Sequence, residues 1–111
     1  MSEKDKVYYY SHELIKTIMM QSKFQSEVLR EVVNSLIKDS APEGVINIGL
    51  DSLKLCNFLQ NKIKKIEEKQ KIENGKIAIS DTELKDIREL VADIEVNEFL
   101  LTGCGISVMF H

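Results

Sequence analysis

Apolar residues recur along the first third of the chain with the period of an α-helix. Ile15, Met19, Leu29, Val33 and Leu36 follow one another in alternating steps of four and three, and Ser22 and Ser26 complete the series where larger residues would be expected. Leu14, Ile18, Val28, Val32 and Ile37 widen the stripe beyond a two-strand coiled-coil seam, so this helix must face a core or a partner. The pattern predicts a first helix from near Ser11 to Asp39. Such a helix would be about 45 Å long, whereas a compact domain of this size has a radius of gyration of about 13 Å. Part of the stripe is therefore expected to overhang its intramolecular partners and to need another subunit or a target. Ser22 and Ser26 admit two readings: small side chains that let two helices approach closely, or a ligand or partner groove at that level.

The strongest local signal is the run Ile79-Ser80-Asp81-Thr82-Glu83-Leu84. Ser80 can cap the backbone N–H of Glu83, Glu83 can reach back to the N–H of Ser80, and Ile79 can staple onto Leu84. It predicts a helix from Asp81 to about Leu101, with Leu84, Ile87, Val91, Ile94 and Leu101 on one face and Leu90 beside it. Asn74-Gly75 just upstream is a helix stop, and Ser40-Ala41-Pro42-Glu43 is a second, weaker start. The segment between them, from Pro42 to Glu73, carries Val45, Ile46, Gly49, Leu50, Leu53, Cys56, Leu59, Ile63 and Ile66 on its face, broadened by Leu55 and Phe58. Gly49 within that run costs ~1 kcal/mol against alanine, which predicts either a short break or a close backbone contact. Beyond Ile66 the face dissolves into Glu67-Glu68-Lys69-Gln70-Lys71, a solvated end in which Lys64–Glu68 and Glu67–Lys71 pairs are expected.

Lys76 to Ile79 alternates weakly and reads as an extended connector. After the third helix, Gly103 and Gly105 stop the chain's helical course, and Ile106, Val108 and Phe110 then alternate as in a half-buried strand. Three outcomes are open for this tail: pairing with Ile77–Ile79 as a small sheet, docking on the bundle, or reaching a neighbouring chain.

Composition adds limits more than identity. A chain of 111 residues makes one domain, spanning 1–111. The bias of 13 Lys against 2 Arg, with 13 Ile, fits a low-GC bacterial or phage origin. A net charge of −3 gives no argument for bulk nucleic-acid binding. The imbalance lies in residues 76–111, with three basic and seven acidic side chains. The beginning Met-Ser-Glu-Lys-Asp-Lys lacks the apolar stretch of a signal peptide, and no run approaches the ~18 apolar residues of a membrane span. The expected location is the cytoplasm, where Cys56 and Cys104 stay reduced.

Candidate chemistry is sparse. His12 and His111 lie in no motif, and His12 as a phosphoacceptor competes with the ordinary surface histidine near a helix start. Cys104 follows a helix C-terminus, where the dipole does not favour a thiolate, and Cys56 belongs to the core face. There is no Glu-x-x-His of the kind that builds metal sites in bundles, and Gly103-Cys104-Gly105 follows a helix instead of opening one, so it lacks the context of a phosphate loop. No cofactor or metal is expected.

Tyr8-Tyr9-Tyr10 is the one polar-aromatic feature of note, flanked by Lys4, Lys6, His12 and Lys16. Such a cluster can pack on the bundle, anchor a protein interface, or stack on nucleobases while lysines hold phosphates.

These readings lead to an all-α fold: three helices with a long first one, open to completion as a four-helix bundle by dimerisation, with a short C-terminal strand as an option. The function expected is a non-enzymatic protein-binding module, an inhibitor, adaptor or immunity-type protein, acting through Tyr8, Tyr9, Tyr10 and Lys16. Its partner is another protein, itself as a homodimer, or both, with no role for nucleic acid or membrane. A binder of a small nucleotide or signalling molecule, and a virion assembly component, are the alternatives.

Overall fold

The computed structural model describes residues 6–69 and 74–106. The order is β1 (Val7–Ser11), α1 (His12–Lys38), α2 (Glu43–Lys69), β2 (Lys76–Ser80) and α3 (Asp81–Gly103). The three expected helices are present, and the connector Lys76–Ile79 is a strand. Its partner is β1, which is made of the tyrosine run itself. The expected C-terminal strand rests on Val108 and Phe110, which lie outside the described residues; Ile106 is not in a strand and packs against the core. The predicted end of the second helix, 70–73, also lies outside them.

Both strands run into helices without a connecting residue. β1 and β2 are antiparallel, with Val7 opposite Ser80, Tyr9 opposite Ala78 and Ser11 opposite Lys76. The ladder extends one pair beyond each end: His12 N–H donates to Gly75 O at 2.8 Å, and Asp81 N–H donates to Lys6 O at 2.7 Å. α1 and α3 therefore leave the same small ribbon from its two opposite ends. Facing residues of an antiparallel pair share a face, so Tyr8 and Tyr10 lie on the side of Ile79 and Ile77. Those two isoleucines are fully buried and Tyr10 packs on the same core.

α2 lies between the other two helices and is antiparallel to both. Its end meets the start of α1, with His12 Nε2 2.9 Å from Glu67 Oε2, and Lys62 Nζ meets Asp86 of α3 at 2.9 Å. Glu67 thus pairs with His12, while Lys71, its expected partner, lies outside the described residues. α1 and α3 meet mainly through long side chains, Gln25 Nε2 donating to Glu98 Oε1. The result is elongated, with extents of 50 × 33 × 20 Å and a radius of gyration of 16.4 Å, well above the ~13 Å of a compact chain of this size.

The core runs along α2: Cys56, Leu59, Ile63 and Ile66, with Ile15 and Leu29 from α1, Ile94 and Leu101 from α3, and the two ribbon isoleucines. Each such side chain contributes roughly 1.5–3 kcal/mol. Gly49 stays inside α2, and a Cβ there would stand 2.8 Å from Val33 Cγ2. Of its two sequence readings, close backbone contact is the one found.

The helix ends follow their local chemistry. The Ser80 box forms as written: Glu83 N–H donates to Ser80 Oγ at 3.1 Å, and Ser80 N–H donates to Glu83 Oε1 at 3.0 Å. α3 ends in a Schellman motif, with Gly105 at φ +84° and Ile106 N–H donating to Leu101 O at 3.0 Å. α1 ends in the same motif, but the left-handed position is held by Ser40, φ +54°, with Ala41 N–H bonded to Leu36 O at 2.9 Å. Ser40 is thus a stop for α1 and not a cap for α2. No helix among the described residues is long and apolar enough to cross a membrane.

Candidate interaction surfaces

The tyrosines divide by the two-residue period of a strand. Tyr10 is half-buried and Tyr8 is at the edge of exposure, both on the inner face of the ribbon, while Tyr9 points to the outer face and is 69% exposed. Sequence reasoning placed these residues at the entrance to a helix; they form the strand that precedes it. Lys16 sits on α1 with its ammonium 4.0 Å from Glu13, one turn back, and is exposed. No hydrogen bond, ion pair or cation–π contact joins it to the tyrosines among the described residues, so the four predicted site residues do not form one cluster.

A second surface lies in the cleft between α1 and α3, at the level of Ser22 and Ser26. Both serines are buried. Ser26 Oγ–H donates to Ser22 O at 3.1 Å, and Gln60 of α2 donates to Ser22 Oγ at 3.2 Å and to Ser26 Oγ at 2.8 Å. The small residues therefore do two things. They let α1 approach α2, and they accept hydrogen bonds from a side chain that fills the space. Next to them is a cavity of about 220 Å³ with Ile18, Leu59, Val91 and Ile94 at its walls and Gln21, Gln25, Glu95 and Glu98 at its mouth. Burial raises the Glu98 carboxyl above its ordinary range, the Gln25 hydrogen bond opposes this, and the charge of Glu95 adds to it.

The third surface is on the opposite side of the molecule, where α2 and α3 meet. Two adjoining hollows, of about 380 and 340 Å³, lie on either side of Phe58. Phe58 is 48% exposed and Val96, in the wall of the larger hollow, 57%. Phe99 and Leu100 follow Val96 at helical spacing, and Phe99 is 78% exposed. Asp51, Asp86, Glu89 and Asp93 line the hollows. Of the two lysines there, Lys62 is paired with Asp86, and Lys54 lies 5.8 Å above the Phe58 ring. The surface is apolar in the middle and acidic at the rim.

Sequence reasoning missed this surface. Val96 and Phe99 fall off the apolar stripe of α3, which was a signal, but one that every protein surface gives at scattered positions. The cysteines are as expected: Cys56 is buried, with its thiol pushed up to about 11 by desolvation, and Cys104 is exposed. Comparison with protein-family models, with curated proteins and with solved structures finds no match.

Proposed function

We propose that the protein is a non-enzymatic protein-binding module, of the adaptor, inhibitor or immunity type, acting in the cytoplasm. The observation that carries this reading is the acidic-rimmed apolar surface around Phe58, Val96, Phe99 and Leu100. Contiguous apolar exposure on a small domain stays out of water only when a partner covers it, and aromatic anchors with a polar rim are the anatomy of protein interfaces. The rim favours a partner segment with apolar residues on one face and basic residues beside it. The test is photo-crosslinking in the native cell from an analogue placed at Val96, with Glu31 on α1 as the control position. A discrete adduct at Val96 alone, whose partner then loses affinity for Phe58→Glu, supports the reading. Equal adducts at both positions, or none at Val96, overturn it.

A second reading, a small-molecule binder, is favoured by the α1–α3 cavity with its apolar floor and hydrogen-bonding mouth. Stabilisation grows with ligand excess over Kd, so a nucleotide and metabolite panel read by melting temperature decides it. A shift abolished by Gln25→Ala supports it.

A further inference from the structure

The outer edge of β1 is the least protected backbone edge among the described residues. The bonded pairs Lys6–Asp81 and His12–Gly75 fix the phase of the ladder. Bonded pairs recur at every second residue, so Tyr8 and Tyr10 turn their backbone groups toward β2. Val7 and Tyr9 turn theirs to the other side. Among the described residues nothing bonds to that side. The outer edge of β2 is in a different state, because the Ser80 N–H that faces outward there is taken by Glu83 Oε1 at 3.0 Å. β2 lies over the core and β1 lies at the margin. Free edges normally carry a lysine, a proline or a bulge that prevents pairing. β1 reads Val-Tyr-Tyr-Tyr-Ser, a run of strong strand formers with none of these.

We propose that this edge is occupied by β1 of a second copy of the chain, antiparallel about a two-fold axis at Tyr9, giving a four-stranded sheet in the order β2-β1-β1-β2. The self-complementarity of the strand selects this occupant. With Tyr9 on the axis, Tyr9 faces Tyr9 as a bonded pair, Val7 faces Ser11, and Tyr8 faces Tyr10. No like charges are opposed within the strand. The Tyr8–Tyr10 pairs fall at non-bonded positions, where side chains stand closest, and on the inner face. Aromatic cross-strand pairs of this kind are stabilising, and they cover the Tyr8 ring that the single chain leaves at the margin. A twofold dimer is also the commonest closed assembly. The contact is short, so association in the micromolar range is expected. It is independent of the surface around Phe58, and the two proposals fail separately.

The experiment is sedimentation equilibrium of the full chain from micromolar to millimolar concentration, with Tyr9→Pro, Tyr9→Lys and Phe58→Glu beside it. Tyr9→Pro deletes an N–H that the β1–β2 ladder does not use, and proline is tolerated at such edge positions. The expected result is a dimer for the wild type and Phe58→Glu, with the dissociation constant raised at least tenfold by either Tyr9 change. Register is read in a Cys104→Ser background by oxidation. Tyr9→Cys on the axis has the Cα spacing of a bonded pair, about 5.5 Å, which suits a disulfide. Val7→Cys is about 13 Å from its own copy along the paired strands and stays reduced. A mass of 12.7 kDa at every concentration overturns the proposal, as does a dimer that survives both Tyr9 changes, or one in which Val7→Cys cross-links as fast as Tyr9→Cys. Should Tyr9→Pro fail to fold, Tyr9→Lys and the cross-linking pair still decide.

Discussion

Gly49→Ala tests the packing of α1 on α2 directly. At an open helical site this change stabilises, because alanine exceeds glycine in helix propensity by about 1 kcal/mol. At Gly49 the new Cβ would stand 2.8 Å from Val33 Cγ2 and 3.9 Å from Leu36 Cδ1. Val33 has little room to yield, since it is buried and a β-branched side chain in a helix is held to one rotamer. Either the helices part or the rotamer is lost, and such overpacking costs about 1–3 kcal/mol. Net of the propensity gain, a destabilisation of about 1 kcal/mol is expected. An unfolding entropy of about 2.1 cal/mol/K per residue turns this into a Tm lower by about 4 °C. Gly44→Ala is the control, because a Cβ there meets nothing within 4 Å, and it should raise stability. Val33→Ala alone should cost about 2 kcal/mol. In the Gly49→Ala background it should cost less, because the new methyl takes the vacated space, leaving a coupling of about 1–2 kcal/mol. Urea denaturation of the four proteins of the cycle measures this. Stabilisation by Gly49→Ala equal to that by Gly44→Ala, or a cycle with no coupling, would refute the close approach.

Four further expectations follow from the helix ends and titratable groups. Ser80→Ala removes the cap on Glu83 and should cost about 1 kcal/mol in denaturant unfolding; an unchanged midpoint would mean that the box contributes nothing. Ser40→Gly relieves a left-handed non-glycine residue and should stabilise by about 1 kcal/mol, a sign that the same measurement would reverse if Ser40 were unstrained. At neutral pH an alkylating reagent should modify Cys104 in the native protein and Cys56 only after unfolding, because the Cys56 thiol is buried and raised to about 11; equal labelling by mass spectrometry would contradict its burial. The Glu98 carboxyl is raised in the folded state, so the folded state binds its proton more tightly than the unfolded one. Its contribution is present in acid and is lost as pH rises from about 4.3 through the raised value. Glu98→Gln should therefore flatten that part of the stability–pH curve, and an unchanged slope would remove the desolvation argument.

What was legible in the sequence is what neighbouring residues decide. The start of α3 is written in six consecutive residues, and both of its bonds are present because capping needs nothing from elsewhere. The stripes of α1 and α2 are legible for the same reason. The ribbon was not, although its two halves were. Val7–Tyr10 is a run of strand formers and Lys76–Ile79 alternates, but nothing local states that they pair across some seventy residues. The tail at Ile106 had an equal compositional claim on Ile77–Ile79. Among the described residues it is β1 that pairs with them. β1 and β2 feed α1 and α3 directly, so they meet at one end of the molecule. Ile106 leaves α3 at the other end, near Val28 and Val32 of α1. Gln25, Gln60 and Glu98 carry no local signal in the sequence and become partners only where three helices bring them together.

The same topology explains why so much apolar surface remains. α2 has a helix on each side, whereas α1 and α3 each pack closely along α2 and at most weakly, backbone to backbone, on each other. A helix with one close neighbour covers only part of its circumference. Its remaining apolar residues, Met20 and Phe24 on α1 and Val96, Phe99 and Leu100 on α3, stay exposed. In a closed triangular bundle each helix would have two neighbours and fewer of these side chains would reach water. The two proposed contacts draw on different parts of this open shape. The ribbon edge lies where α3 begins, and Val96 lies fifteen residues further along that helix, about 22 Å away. Pairing through Tyr9 uses none of the residues of the Phe58–Val96 surface. A dimer built this way presents two partner surfaces at once. A partner that is itself a dimer would then gain from effective concentration. Tyr9→Lys should lower the affinity for such a partner while leaving that for a single partner subunit unchanged, and a loss of both would mean that Tyr9 touches the partner directly.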